Sequence, residues 1–270
     1  MDDLVGLAVA LAGAGAASGF LAGLFGVGGG AILVPVIDQF LAFLGYGEDI
    51  RLHVALGTSL GIIVPTALRS FSAHRARGAV DMGLLKSWLI PVPAGALVAS
   101  VLAAAASGEA LRGIFAVIAF AVALRLLFKF DRLRLGSDIP GGPAQALSGV
   151  LIGFVATLMG VGGGVLSNTF MTLYGRPIHQ TIATSAGVGV LIAIPGTLGY
   201  MVGGYGHTDL PPFSIGFVNL LGVVVMMPLT FAFAPLGVRV AHGATKRQLE
   251  IAFGIFLVLI AAKFASSLVL

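Results

Sequence analysis

The stretch "GLFGVGGGAILVPV" (Gly23 to Val36) places five glycines inside an otherwise apolar run. A second stretch, "TLMGVGGGVLSNTF" (Thr157 to Phe170), repeats the pattern in the other half of the chain. Glycine has no Cβ atom and is a poor helix former, so each stretch predicts a break in a hydrophobic helix. A break at one place in each half, made by the same residues, indicates a shared purpose.

The composition around the two breaks is that of a membrane protein. The chain has 270 residues, of which 58% are hydrophobic and only 10% are charged, and its mean hydropathy is +1.06. A soluble domain carries about 25% charged residues. Several apolar runs reach the roughly 20 residues that a membrane helix needs, and they are unbroken rather than alternating, which favours helices over a β-barrel. The sequence therefore predicts an all-α polytopic membrane protein.

Charge and motifs exclude several other classes. The net charge is +4, but the basic residues form short clusters between apolar runs, as orientation signals do, so no nucleic-acid partner is expected. There is no cysteine, which excludes disulfides and thiolate chemistry. No metal-ligand spacing or nucleotide-binding motif occurs, so no metal or cofactor is expected. The acidic start of "MDDLVGLAVALAGAGAASGF" favours a first membrane segment over a cleaved signal peptide.

Ten apolar segments can be drawn along the chain. They lie at about 4–25, 30–45, 53–70, 82–106, 110–130, 143–160, 164–175, 180–202, 213–236 and 249–270. The second and the seventh are short, and each directly follows a glycine cluster. They are either short crossing helices or re-entrant pieces.

The two halves of the chain match in order, which predicts an internal duplication with repeats at 1–135 and 136–270. The matches pair Phe25 to Gly30 with Met159 to Gly164, His53 to Gly61 with His179 to Gly187, Asp81 with Asp209, and the run around Arg125 with the run around Lys263. Five segments per half, if all of them cross, invert the second repeat relative to the first. Such inverted-topology repeats are typical of secondary transporters.

The basic clusters predict the orientation in the membrane. They comprise Arg69, Arg75 and Arg77; Lys129, Arg132 and Arg134; Arg176; and Arg239, Lys246 and Arg247. All four fall on one side if the ten segments cross, and the positive-inside rule makes that side the cytoplasm. Both termini then lie outside.

The breaks predict an anion site at the middle of the membrane. A helix that restarts after "GVGGG" points free backbone N–H groups and the positive end of its dipole into the break. The candidate substrate-binding glycines are Gly28, Gly29, Gly30, Gly162, Gly163 and Gly164. The alternative is that these glycines only allow close helix packing.

Polar side chains near the breaks could add hydrogen bonds to an anion. The candidates are Thr58, Ser59, Ser167, Asn168, Thr184 and Ser185. Asn168 makes the second break more polar than the first, which has Val34 at the matching position. Serine and threonine in membrane helices also bond to their own backbone or to a neighbouring helix, which is the alternative here.

Three titratable residues are candidates for proton coupling. Asp38 follows the first break within a short helix, and it could handle protons or simply mark the wet end of its segment. His53 and His179 precede the two Thr-Ser pairs by the same interval, so a relay through them is possible.

With these motifs stated, the sequence resembles the sulfite exporter TauE/SafE family of membrane permeases. The resemblance covers nearly the whole chain and is carried by "GLFGVGGGAILVP", "GVGGGVLSNTF", "ALGTSLG" and "ATSAG". It implies a carrier of small sulfur-containing anions such as sulfite, thiosulfate or organosulfonates. One departure is that Pro35 follows the first glycine cluster, whereas Ser-Asn-Thr follows the second.

The leading functional hypothesis is a secondary transporter in the bacterial inner membrane. It would export a small oxyanion bound between the half-helix N-termini and work by alternating access. An anion channel that uses the same site is the alternative. An intramembrane enzyme that uses Ser59 or Ser185 with a histidine is less favoured, because each histidine lies more than one helical turn from the serine of its segment.

Overall fold

The computed structural model describes residues 2–25, 30–128, 136, 138–241 and 243–268. Over these residues the chain forms helices and a single two-stranded hairpin, which confirms the all-α class. The helices are α1 (Asp2–Phe25), α2 (Gly30–Phe43), α3 (Glu48–Ala76), α4 (Met82–Ser87), α5 (Pro91–Ala105), α6 (Gly108–Phe128), α7 (Pro143–Leu158), α8 (Gly164–Leu173), α9 (Ile178–Gly203), α10 (Leu220–Ala241) and α11 (Lys246–Ser266). The hairpin pairs β1 (Ser214–Ile215) with β2 (Val218–Asn219), antiparallel.

Within the described ranges, five helices are long and apolar enough to cross a membrane: α3, α6, α9, α10 and α11. A sixth crossing is shared by α4 and α5, which the sequence predicts as one segment. The structure divides it because Pro91 and Pro93 lack the N–H groups that would donate to the carbonyls of the preceding turn. The ninth predicted segment also differs, since the β-hairpin precedes α10.

The segments that follow the glycine breaks are too short to cross a membrane. Helices α2 and α8 have 14 and 10 residues, or roughly 21 Å and 15 Å at 1.5 Å per residue, which is too short for a core of about 30 Å. Phe170 on α8 packs on Trp88 at 5.7 Å, and Trp88 donates to the carbonyl of Gln145 at the start of α7. Helix α8 therefore returns to the side from which α7 entered. We call α7–α8 the inner hairpin and α1–α2 the outer hairpin.

The direction of the crossing helices keeps the described residues of the basic clusters at one end. Helices α3 and α9 are antiparallel, because Leu60 contacts Gly196 while Ala67 contacts Gly189. The end of α3 thus lies beside the start of α9. Arg247 at the start of α11 donates to the carbonyls of Leu126 (2.7 Å) and Leu127 (2.5 Å) at the end of α6. With neither hairpin counted as a crossing, each half has three crossings, an odd number that still predicts an inverted second repeat.

Equivalent glycines fix two equivalent helix crossings. Helix α1 packs along α10, and α7 packs along α5. A Cβ at Gly19 would lie 2.6 Å from the Cα of Thr230, and one at Gly153 would collide with the carbonyl of Val92. Gly19 and Gly153 precede the two glycine clusters by the same interval. This pairing across the halves supports the predicted duplication, and the repeat boundary itself stays a prediction.

We expect Gly153→Leu to destabilise the protein by about 1–3 kcal/mol or more, because the new side chain would overlap the backbone of α5. The measurement is thermal unfolding of purified protein in detergent, compared with Gly13→Leu. Gly13 lies on exposed α1 surface with nothing within 4 Å of its Cβ position. Equal melting temperatures for the two variants would contradict the close crossing.

Candidate functional site

The tip of the inner hairpin is shaped by two left-handed glycines. Helix α7 ends in a Schellman motif, in which Val161 N–H donates to Ala156 (2.9 Å) and Gly160 N–H donates to Thr157 (3.0 Å). Gly160 has φ +61°, and Gly163, the N-cap residue that precedes α8, has φ +69°. Residues with side chains rarely adopt this conformation. Two of the glycines in "GVGGG" are therefore required by the backbone.

A cavity of about 330 Å³ opens beside this tip. It lies between α3, α9 and the start of α8, and it extends toward the end of the bundle that carries the basic residues. Its lining residues are Ile63, Thr66, Ala67, Ser70, Val161, Gly162, Gly164, Val165, Asn168, Ile182, Ser185, Ala186 and Gly189.

The start of α8 offers backbone donors to this cavity. The first N–H groups of a helix have no partner within the helix, and no side chain caps α8. Gly164 and Val165 belong to this first turn and line the cavity. Nothing lies within 4 Å of the space that a Cβ at Gly164 would occupy. An anion can therefore approach the N–H groups and the positive end of the helix dipole.

A hydrogen-bonded cluster orients the Asn168 side chain. Ser185 Oγ lies 2.5 Å from Asn168 Oδ1 and 2.7 Å from Ser167 Oγ, and Ser167 donates to the Gly163 carbonyl at 2.7 Å. Because the Asn168 oxygen accepts from Ser185, the NH₂ group is the donor that this cavity-lining side chain can offer to a ligand. The structure thus brings together Gly162, Gly164, Asn168 and Ser185, with Ser167 supporting them from behind.

The threonines of the two Thr-Ser pairs lie elsewhere, in matching contacts between the halves. Thr58 Oγ1 accepts the backbone N–H of Asn219 at 3.0 Å, and Thr184 Oγ1 accepts that of Asp81 at 2.9 Å. Both threonines are at most 1% exposed. Each hydroxyl therefore joins the central helix of one half to the other half and is already engaged there.

These contacts correct one of the sequence matches. Asp81 directly precedes α4, and its Oδ1 accepts the N–H of Leu84 in the first turn. Asn219 directly precedes α10 in the same way, and its Oδ1 accepts the N–H of Gly222. The structural counterpart of Asp81 is thus Asn219 and not Asp209. The β-hairpin lengthens the connection from α9 to α10 relative to the connection from α3 to α4. The residue equivalent to Asp81 therefore lies further along the chain than Asp209.

The remaining predicted residues are spread over the molecule. Ser59 Oγ donates to the Gly160 carbonyl at 2.8 Å. Gly30, the first residue of α2, packs against the tip of the inner hairpin, since a Cβ added at Gly30 would lie 2.7 Å from the Cα of Val161. Gly28 and Gly29 lie outside the described residues.

The three groups predicted for proton coupling do not line the cavity. Asp38 is 4% exposed and 3.9 Å from Arg51 Nε. His53 is buried and donates from Nε2 to the carbonyls of Ala103 (3.0 Å) and Ala106 (3.1 Å). His179 is exposed at the start of α9. The structure does not bring the three together.

The sequence-based search missed the wall that α3 contributes. Thr66 and Ser70 line the cavity with Ile63 and Ala67, at the i, i+3, i+4, i+7 spacing of one helix face. Small and polar residues on one face of a membrane helix were the signal that could have revealed it.

The comparison with family models identifies the chain. The model described as "Sulfite exporter TauE/SafE" matches residues 11–264. The chain belongs to the TauE/SafE family. Together with the spans of suitable length, this makes it an integral membrane protein of a transporter family.

Curated relatives agree at the level of class. A "Probable membrane transporter protein" of Haemophilus influenzae is 30% identical over 92% of this chain and 94% of the relative. A protein with the same description from Methanocaldococcus jannaschii is 25% identical over 86% of this chain and 86% of its own length. Another from Bacillus subtilis is 24% identical over 91% of this chain and 93% of its own length. No solved structure matches significantly.

We expect Thr184→Val to cost about 1–3 kcal/mol of stability, because the partly buried N–H of Asp81 would lose its acceptor. Thr181→Val is the matched control, since the equally buried Thr181 hydroxyl bonds only the Ile178 carbonyl of its own helix. The measurement is thermal unfolding of both variants in detergent. A loss as large for Thr181→Val as for Thr184→Val would contradict the role of Thr184 between the halves.

Proposed function

We propose that this protein is a secondary transporter that exports a small sulfur-containing anion such as sulfite or an organosulfonate. The anion would bind at the tip of the inner hairpin, near the middle of a bacterial inner membrane. The observation that carries the proposal is the cavity that joins the uncapped start of α8 to the Asn168 amide.

The chemistry of the cavity favours an oxyanion. Backbone N–H groups, the helix dipole and a side-chain NH₂ all present positive partial charge. Among the lining residues there is no acidic side chain to repel an anion and no basic one to hold it permanently. Neutral donors let a carrier bind an anion and release it again, without the desolvation cost of a buried charge. The TauE/SafE family name supports sulfite or a related anion.

The shape of the cavity favours a carrier over a channel. The space between the cavity and the outer side is filled by three fully buried side chains, those of Val34, Leu56 and Leu60. A site that is reached from one side and closed on the other is what alternating access requires.

The contacts of the serines and histidines do not favour an intramembrane enzyme. Ser59 donates to the Gly160 carbonyl. His53 donates to the carbonyls of Ala103 in α5 and of Ala106, the residue directly after α5. Ser185 bonds Ser167 and Asn168. A nucleophile needs a base within hydrogen-bond reach, and among the described side chains these serines have other partners.

We expect Asn168→Ala to weaken anion binding about 10- to 100-fold, because a hydrogen bond to a charged ligand contributes about 1.5–3 kcal/mol. Gly164→Val should abolish binding, since its side chain would fill open cavity space at no cost in strain. The measurement is thermal-shift titration of purified protein with sulfite, thiosulfate, sulfoacetate, sulfate and chloride.

The matched control is Gly13→Val, whose side chain also enters open space but on exposed α1 surface. It should bind as the unsubstituted protein does. Saturable binding that survives in Gly164→Val would place the anion elsewhere. Failure of all five anions to stabilise the unsubstituted protein would argue against the proposed substrate class.

Reconstituted vesicles distinguish the carrier from the channel. We expect a saturable flux of labelled sulfite. Unlabelled sulfite on the opposite side should accelerate this flux, because a carrier that returns loaded exchanges one anion for another. A channel would instead conduct without such counterflow and would show single-channel currents. The Gly164→Val variant serves as the inactive control in the same vesicles.

A further inference from the structure

The cavity has a sealed counterpart on the outer side. Under the repeat correspondence that joins Gly30 to Gly164 and Ser59 to Ser185, each cavity residue has an equivalent in the other half. Ile182, Ala186 and Asn168 correspond to Leu56, Leu60 and Val34. The remaining described equivalents are Gly30, Ala31, Ser59, Ile63, Gly189, Ile192, Ala193 and Gly196.

The cavity-lining residues and their equivalents, which we call the outer set, differ sharply in burial. Ile182 is 45% exposed and Asn168 is partly exposed, whereas Leu56 and Val34 are both 0% exposed. Ile63 and Gly189 are equivalents of each other and belong to both sets. The two sets therefore meet at the same central point of the bundle and extend from it toward opposite ends.

The tip of the inner hairpin is what fills the outer set. A Cβ atom added at Gly160 would lie 2.6 Å from Val34 Cγ2 and 3.0 Å from Leu56 Cδ2. Ile192 packs in the same way against Gly163. The glycines that shape this tip thus also let it fit closely against the outer half of α3 and α2.

We propose that the structure is the cytoplasm-open state and that the sealed set lines a second, outward-facing cavity in the other state. This inference rests on the proposed transport function. To open the outer cavity, the tip of the inner hairpin leaves Val34 and Leu56, and the present cavity closes. The two states then differ by an exchange of conformation between the halves.

Ser59 holds the tip in its present position. Its hydroxyl donates to the Gly160 carbonyl at 2.8 Å, and both groups are buried. The equivalent hydroxyl, on Ser185, faces the open cavity and bonds Asn168. The two serines occupy equivalent positions, Ser59 on the closed side and Ser185 on the open side. Ser59 is therefore a state-dependent latch, while the neighbouring threonines join the halves.

Cysteine labelling in sealed membranes tests the second cavity, because the chain contains no cysteine of its own. Single variants Ile182→Cys and Leu56→Cys are treated from either side with an impermeant trimethylammonium methanethiosulfonate. We expect Ile182→Cys to react from the basic side and Leu56→Cys from the opposite side. The second reaction should be about 10- to 1,000-fold slower, since a minor state is typically 0.1–10% populated.

The matched control is Ile62→Cys, which is 1% exposed on the same helix and whose equivalent, Val188, does not line the cavity. It should stay unreactive from both sides. The inference is overturned if Leu56→Cys never reacts from the outer side, or if Ile62→Cys reacts equally fast. Labelling does not depend on knowing the substrate, so sulfite flux in the same vesicles tests the transport function separately.

Ser59→Ala in the Leu56→Cys background tests the latch. Without the hydrogen bond to Gly160, the outward-open state should gain population, and labelling from the outer side should accelerate about 2- to 10-fold. Thr197→Val in the same background is the control, because the Thr197 hydroxyl bonds the Ala193 carbonyl of its own helix and does not line the cavity. An unchanged rate in Ser59→Ala, or an equal rise in Thr197→Val, would contradict the role of the Ser59 hydrogen bond.

Discussion

Backbone hydrogen bonding in a medium without water is the constraint on which this structure depends. A chain that turns back in the middle of a membrane must satisfy its own N–H and C=O groups or expose them only to a cavity. The inner hairpin does both. The Schellman motif at Gly160 satisfies the end of α7, and Ser59 satisfies the Gly160 carbonyl. The start of α8 is left open toward a ligand.

The same constraint explains how much could be predicted from the sequence. The glycine clusters, the membrane class and the small polar residues around Asn168 could be identified, because each depends on local composition. Whether α8 crosses or returns could not, since a short apolar segment has the same composition in either case. The structure decides it through distant contacts such as that of Phe170 with Trp88.

The Thr-Ser pairs show a second limit of sequence-based prediction. Their matching positions indicated an equivalent role, and the threonines have one: both accept an N–H from the residue that begins a helix of the other half. The role itself depends on Asn219, which only the β-hairpin brings beside Thr58. Pattern matching found the equivalence of the threonines but could not find a partner far along the chain.

The exchange of helices between the halves has a consequence for biosynthesis. Helix α1 leaves the ribosome before α10, which carries the surface against which Gly19 packs. The outer hairpin therefore cannot reach its final position until α10 has been translated. Until then the face of α1 around Gly19 lacks its partner, and neither half can mature as an independent unit.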